Sequence, residues 1–230
     1  GRDLNFACIP YDQWIGALTY KGQLDELNPD LIFLFLHLED VCPLLAGQHL
    51  DATKEALEEE SRNLIDLIRA GINQFRTRSS APIILSTFIA RKIGIERYFD
   101  RRSVDGRNTK VERLNQALTE IARDSNNVFI FDYAALVTDH GRKNWYDVMQ
   151  HYKTHSSILF RALPWLARDM SMFISAMVNP RKKVLAVDLD NTLWFGILGE
   201  DGYRGILADT AWPGNEYRDF QNFLRNLRAT

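Results

Sequence analysis

The stretch that decides the reading is Val184–Gly202, VLAVDLDNTLWFGILGEDG. Its apolar residues Val184 to Val187 run directly into Asp188-Leu189-Asp190-Asn191-Thr192. An unalternated apolar run suits a strand buried on both faces, as in a parallel sheet. Open α/β sheets hold ligands beyond the carboxyl ends of such strands, so Asp188 is predicted to stand where chemistry is done. Asp190 follows it on the first turn of the loop. Two carboxylates this close repel unless a cation or a shared proton neutralises them. A hard ion such as Mg2+ does so through one or two carboxylates, water and substrate phosphate oxygens. A bare DxD is more simply explained by an Asp-Asn turn at a strand end. The full string is far more specific.

The run VLAVDLDNTLW resembles motif I of the haloacid dehalogenase (HAD) superfamily, hhhhDxDxT. With FGILGEDG after it and an α/β region before it, the chain is similar to the FkbH-like proteins. Members of that family load a glyceryl unit from a phosphorylated glycerate donor onto an acyl carrier protein in polyketide and related pathways. The resemblance implies that Asp188 is a nucleophile that becomes an aspartyl phosphate, and that Asp190 is the general acid/base. It further implies that Thr192 supports the motif and that Mg2+ is held by Asp188 and by the carbonyl of Asp190. A carboxylate nucleophile splits one hard displacement into two easier ones. The resemblance extends to a flap built from Leu193–Gly196 and Gly199–Gly202, whose glycines suit tight turns. Excluding water decides whether an acyl phosphate is transferred or hydrolysed. Glu200 and Asp201 match the family pattern without a catalytic role. The superfamily's Ser/Thr, Lys and further acidic motifs lie well downstream of motif I, and the chain holds none of them. It is therefore expected to be a fragment of a longer protein, inactive by itself.

Composition sets the outer bounds. The 230 residues suffice for one large or two modest domains. With 46% hydrophobic and 25% charged residues, the chain has an ordinary globular make-up. A formal charge of −2 argues against a general nucleic-acid or anionic-membrane binder. Cys8 and Cys42 form no CxxC, so neither a disulfide scaffold nor a zinc site is expected, and a reduced cytoplasmic setting fits. No apolar run approaches a membrane span, and the start, GRDLNFACIP, has no signal-peptide design.

Upstream of the motif, strands are expected at Leu4–Ile9, Leu31–Leu38, Ile83–Phe88 and Val128–Phe131. Helices are expected at Glu55–Phe75, Val111–Arg123 and Ser156–Val178, with Pro164 a kink or a boundary. The fold class is α/β, a doubly wound parallel sheet of three layers, followed by the first strand and helix of a HAD Rossmann-like domain. Residues 1–180 form the first domain and 181–230 the start of the second, divided at the polar hinge Asn179–Lys183. The order of elements in the first domain resembles that of SGNH hydrolases. Their Gly-Asp-Ser and Gly-x-Asn-Asp strings are missing, and Asp147-Val148-Met149-Gln150-His151 has one residue too many for their Asp-x-x-His. Asp147 and His151 are weak candidates for a pair on a helix, because a base without a nucleophile does no acyl transfer. His37 reads as a core histidine. The basic stretch Ala90–Thr109 reads as a solvated loop or a receptor for an acidic partner.

Three functions compete. The first is an FkbH-like phosphatase and glyceryl transferase acting on a phosphorylated three-carbon donor and an acyl carrier protein. The second is a HAD phosphatase for a small phosphorylated metabolite, and the third a non-catalytic module that docks a partner.

Overall fold

The structure is a computed structural model, and it describes residues 5–47, 52–90, 106–154, 156, 158–179 and 183–229. The chain divides into two compact units, Gly1–Ser175 and Ala176–Thr230. Residues 91–105 of the basic stretch Ala90–Thr109, residue His155 and hinge residues 180–182 lie outside the described part, while Arg107–Thr109 of that stretch are helical and not loop.

The first unit begins with a 3-10 turn, Tyr11–Gln13, then α1 (Trp14–Thr19) and α2 (Gln23–Leu27). Next come β1 (Ile32–Leu34), α3 (Leu38–Val41), α4 (Lys54–Arg76), β2 (Ile83–Ser86), α5 (Arg107–Asp124) and β3 (Val128–Phe131). It closes with α6 (Tyr133–His140), α7 (Arg142–Trp145), α8 (Val148–Thr154) and α9 (Leu163–Val178), the last running on past the division. The three strands are parallel in the order β1-β2-β3, with Ile32 opposite Ile83 and Ile83 opposite Val128. An α/β chain with a parallel sheet is what the structure shows.

Period-two alternation sorts the side chains between the two faces of the sheet. Leu34, Ile83, Leu85 and Val128 join the core built on Leu64, Ile68, Ile72 and Phe75 of α4 and Leu114, Leu118 and Ile121 of α5. The opposite face carries the aromatic side chains of β1 and β3 on either side of the buried Ile84 and Ser86 of β2. Phe33 meets Phe131 edge-on at 5.3 Å, and Phe173 of α9 meets Phe131 at 5.8 Å. β2 is buried along its whole length, as a central strand of a parallel sheet should be.

The ends of the elements follow local chemistry. Thr53 caps α4 by accepting from the Ala56 amide at 3.2 Å. Asp132 caps α6 through Ala135 N–H at 3.0 Å and also receives the Thr87 hydroxyl at 3.1 Å. Pro164 lies in the first turn of α9, where its missing N–H costs no helix bond, so the boundary reading holds. Gly71 lets α1 pack close to α4, since a Cβ there would stand 3.0 Å from Ile15 Cδ1. Beyond α4, Arg78 donates to the carbonyls of Ala17 (2.9 Å), Leu18 (2.9 Å) and Tyr20 (3.0 Å), and to Asp25 Oδ1 (2.6 Å). It gathers α1 and α2 onto the end of the long helix.

Two expected strands are corrected. The described part of Leu4–Ile9 is irregular, with Phe6 75% exposed, because no neighbouring strand covers it. Leu31–Leu38 pairs only over Ile32–Leu34, since His37 becomes the N-cap of α3 and turns the chain into a helix.

In the second unit, α10 (Leu198–Gly205) and α11 (Gly214–Ala229) are formed. The strand expected at Val184–Val187 is not part of any ladder, and Val184 and Leu185 are 85% and 63% exposed. A strand is held by its neighbours, and among the described residues of this unit only isolated bridges occur.

Candidate phosphoryl-transfer loop

The second unit folds its polar loop tightly. Asn191 takes a left-handed conformation (φ 50), which Asn tolerates better than most side chains. Its N–H donates to the Gly196 carbonyl at 3.2 Å, and its Oδ1 accepts from the Gly196 amide at 2.9 Å. This reciprocal pair closes the loop Asn191–Gly196. Gly196 itself has φ 98, and a Cβ there would lie 3.0 Å from Asp201 Oδ2. Phe195 and Leu207 exchange two antiparallel backbone bonds at 2.9 and 3.0 Å, and Gln221 Nε2 of α11 donates to the Leu193 carbonyl at 2.6 Å.

Within that frame the two aspartates differ. Asp188 is exposed, and its Oδ1 accepts from the Leu189 amide at 2.8 Å. Asp190 is half-buried, and its Oδ1 accepts from the Trp194 indole N–H at 3.1 Å and the Leu198 amide at 3.0 Å. The second of these comes from the first residue of α10, so a helix terminus faces the carboxylate. Thr192 is half-buried, with its N–H donating to the Leu189 carbonyl at 3.2 Å. Asp201 accepts from the Ile197 amide at 2.8 Å, a structural role at the start of α10. One carboxylate is thus open to solvent while the other is held.

Among the described residues no group of three or more His, Cys, Asp or Glu side chains converges as a metal site. Asp188 and Asp190 nevertheless offer only hard oxygen donors on one short loop, the exposed Asp188 carboxylate and the Asp190 main-chain carbonyl. That chemistry fits Mg2+, which uses one or two carboxylates and completes its shell with water and substrate phosphate.

The candidates in the first unit fare differently. Asp147 Oδ1 accepts from the amides of Met149 (2.7 Å) and Gln150 (3.3 Å), which makes it the cap of α8 and not a residue on its face. The side chain of His151 lies outside the described residues. His37 is half-buried and not the core histidine expected, because the chain turns there: it stands at the N-cap position of α3 with no side-chain cap bond and meets Phe35 edge-on at 5.2 Å. Beyond β3, the buried Trp145 donates its indole N–H to Tyr133 Oη at 2.8 Å, and Tyr133 and Tyr146 share a hydroxyl bond at 3.1 Å. Burial raises both phenols above their ordinary range and keeps them neutral.

Sequence reasoning missed the residues that hold Asp190. Trp194, four positions on, carried the signal of an aromatic with a polar handle. Asn191 carried that of a residue suited to positive φ.

Residues 105–175 match the family described as FkbH, N-terminal domain. In fold, the chain is similar to the crystal structure of the N-terminal part of the protein BF1531 from Bacteroides fragilis, which contains a phosphatase domain and is complexed with Mg. The TM-score is 0.77 and the identity 21%, over 96% of this chain and 57% of that one. The chain therefore spans little more than half the length of its structural neighbour. No match is found among curated proteins. No helix among the described residues is long and apolar enough to cross a membrane.

Proposed function

We propose that the chain is part of an FkbH-like, HAD-type phosphatase in which Asp188 is the nucleophile and Asp190 the general acid/base. The observation that carries the reading is the unequal setting of the two aspartates. Asp188 presents a carboxylate to solvent, whereas Asp190 is oriented by the Trp194 indole and the Leu198 amide. The FkbH family match upstream and the Mg-bound phosphatase-containing neighbour support it. In this reading residues 1–180 are a non-catalytic SGNH-like domain and 181–230 open the catalytic one. The exposed apolar run at Val184 and Leu185 is then a strand paired by further chain of the HAD domain. Asp188 through its carboxylate and Asp190 through its main-chain carbonyl would hold Mg2+, which neutralises charge on the phosphoryl group.

The chemistry balances in two displacements. An Asp188 oxygen attacks phosphorus, the bond to the leaving oxygen breaks, and Asp190 supplies that oxygen with a proton. Water then attacks the aspartyl phosphate with Asp190 taking its proton, and inorganic phosphate leaves. Glyceryl loading requires a donor that also carries an acyl phosphate, because glycerate freed as a carboxylate has no driving force to form a thioester. On a bisphosphorylated glycerate, Asp188 removes the ester phosphate. A carrier-protein thiolate attacks the acyl carbon and expels the second phosphate.

The test of this finer reading incubates the full-length protein with Mg2+, 1,3-bisphosphoglycerate and a phosphopantetheinylated acyl carrier protein. Intact-protein mass spectrometry follows the carrier. A dephosphorylated glyceryl adduct is expected, and Asp188→Asn should leave any adduct phosphorylated. Phosphate release over an unmodified carrier would refute the transferase and leave a phosphatase of small metabolites. No Asp188-dependent product would leave a docking module.

A further inference from the structure

A cleft of about 580 Å³ lies in the first unit, at the carboxyl end of β1, between the start of α1 and the first half of α4. Its volume is in the range of small-molecule sites, and its place is where open α/β sheets take ligands. Trp14, Phe35, Leu44 and Leu64 give it an apolar wall. Its charged lining is mainly acidic: Asp12, Asp40, Glu59 and Glu60 border it beside one imidazole, His37, and among the described lining residues none is Lys or Arg. Glu60 is fixed there, because its two carboxylate oxygens accept from the amides of Leu44 (3.0 Å) and Leu45 (2.9 Å). That pair of bonds holds the carboxylate against the apolar wall.

An anion entering the cleft would meet Asp12, Asp40 and Glu59 beside the amide-held Glu60, and a purely apolar ligand would bring those three no opposite charge. Complementarity of charge selects a cation, and the apolar wall selects one with a short hydrocarbon body. We propose that this cleft binds an amphipathic ammonium ligand, a primary amine on a short apolar chain, with Asp40 and Glu59 facing the nitrogen and Trp14 and Leu64 packing the tail. The site lies wholly in the first unit and does not depend on the phosphatase reading.

The test titrates the whole chain with hexylammonium, hexanoate and hexanol, following the Trp14 indole resonance by NMR. Its assignment is checked with Trp14→Phe. Hexylammonium should shift that resonance saturably, more tightly than hexanol, and hexanoate should not. The double variant Asp40→Asn/Glu59→Gln should weaken hexylammonium about 5- to 10-fold and leave hexanol unchanged, as expected for two partly exposed charges. Both side chains stand at an open rim, and a melting curve checks that the variant is folded. Three results would each overturn the proposal: no saturable shift with hexylammonium, hexanoate binding as tightly, or an unchanged affinity in the double variant.

Discussion

Replacing Arg78 by Met tests the packing of the first unit most sharply. The guanidinium serves three main-chain carbonyls at 2.9 to 3.0 Å and Asp25 at 2.6 Å, and its carbon sits 5.1 Å from the centre of the Phe75 ring. Were the Asp25 pair all that mattered, the loss would be small, as for other surface ion pairs. The carboxylate is also not left bare, since the Gly22 amide still donates to it at 3.0 Å, the main reason its pKa lies below the ordinary value. The carbonyls of Ala17, Leu18 and Tyr20, however, lose a charged donor in a side-chain environment only 17% exposed. At about 1 kcal/mol each after partial rehydration, and with the Phe75 contact added, the expected loss is about 3–4 kcal/mol. Arg78→Lys should recover less than half of it, because one ammonium cannot serve the same fork of acceptors. Urea unfolding followed by the fluorescence of the buried Trp145 measures both variants. A loss below about 1 kcal/mol for Arg78→Met would refute the reasoning and reduce Arg78 to a surface partner of Asp25.

Other outcomes follow from the same geometry. Gly196→Ala places a Cβ against Asp201 at positive φ and should destabilise the loop by about 1–2 kcal/mol, read as faster amide exchange at Ile197 and Leu198. Trp194→Phe removes the indole donor from Asp190, so in the full-length protein kcat should fall about 10-fold with KM changed less than about 2-fold. Burial, helped by nearby Glu60, pushes the Cys42 thiol from its usual 9.0 up to about 12. Stability should therefore fall as pH rises from 9.0 toward about 12, where the unfolded chain gives up a proton that the folded one keeps. Cys42→Ala should flatten that decline in alkaline urea titrations.

Much of the first unit was legible because its signals were local. Val128–Phe131 is the strand that its apolar run indicates, and Lys54–Arg76 is a helix within a residue of the expected bounds at each end. Leu4–Ile9 and Val184–Val187 failed for one reason: an apolar run states a preference for burial, whereas a strand also needs a partner. The division of the sheet into an aliphatic face and a face with aromatic outer strands follows from register, which no single stretch reveals. At the site, Asp188 and Asp190 were legible as a motif. What separates their settings was not, because the Leu198 amide reaches Asp190 only after the turn at Gly196 has closed. Asp147 was misplaced because a cap and a helical face look alike in spacing.

The central claim is that Asp188 accepts a phosphoryl group. Its most direct measurement quenches the full-length protein in acid during turnover of a phosphorylated donor with Mg2+, and locates the modified residue by peptide mass spectrometry. The account predicts an acid-stable, base-labile phosphoryl adduct on the peptide containing Asp188, absent in Asp188→Asn and longer-lived in Asp190→Asn. Turnover without an adduct on that peptide, or undiminished in Asp188→Asn, would contradict it.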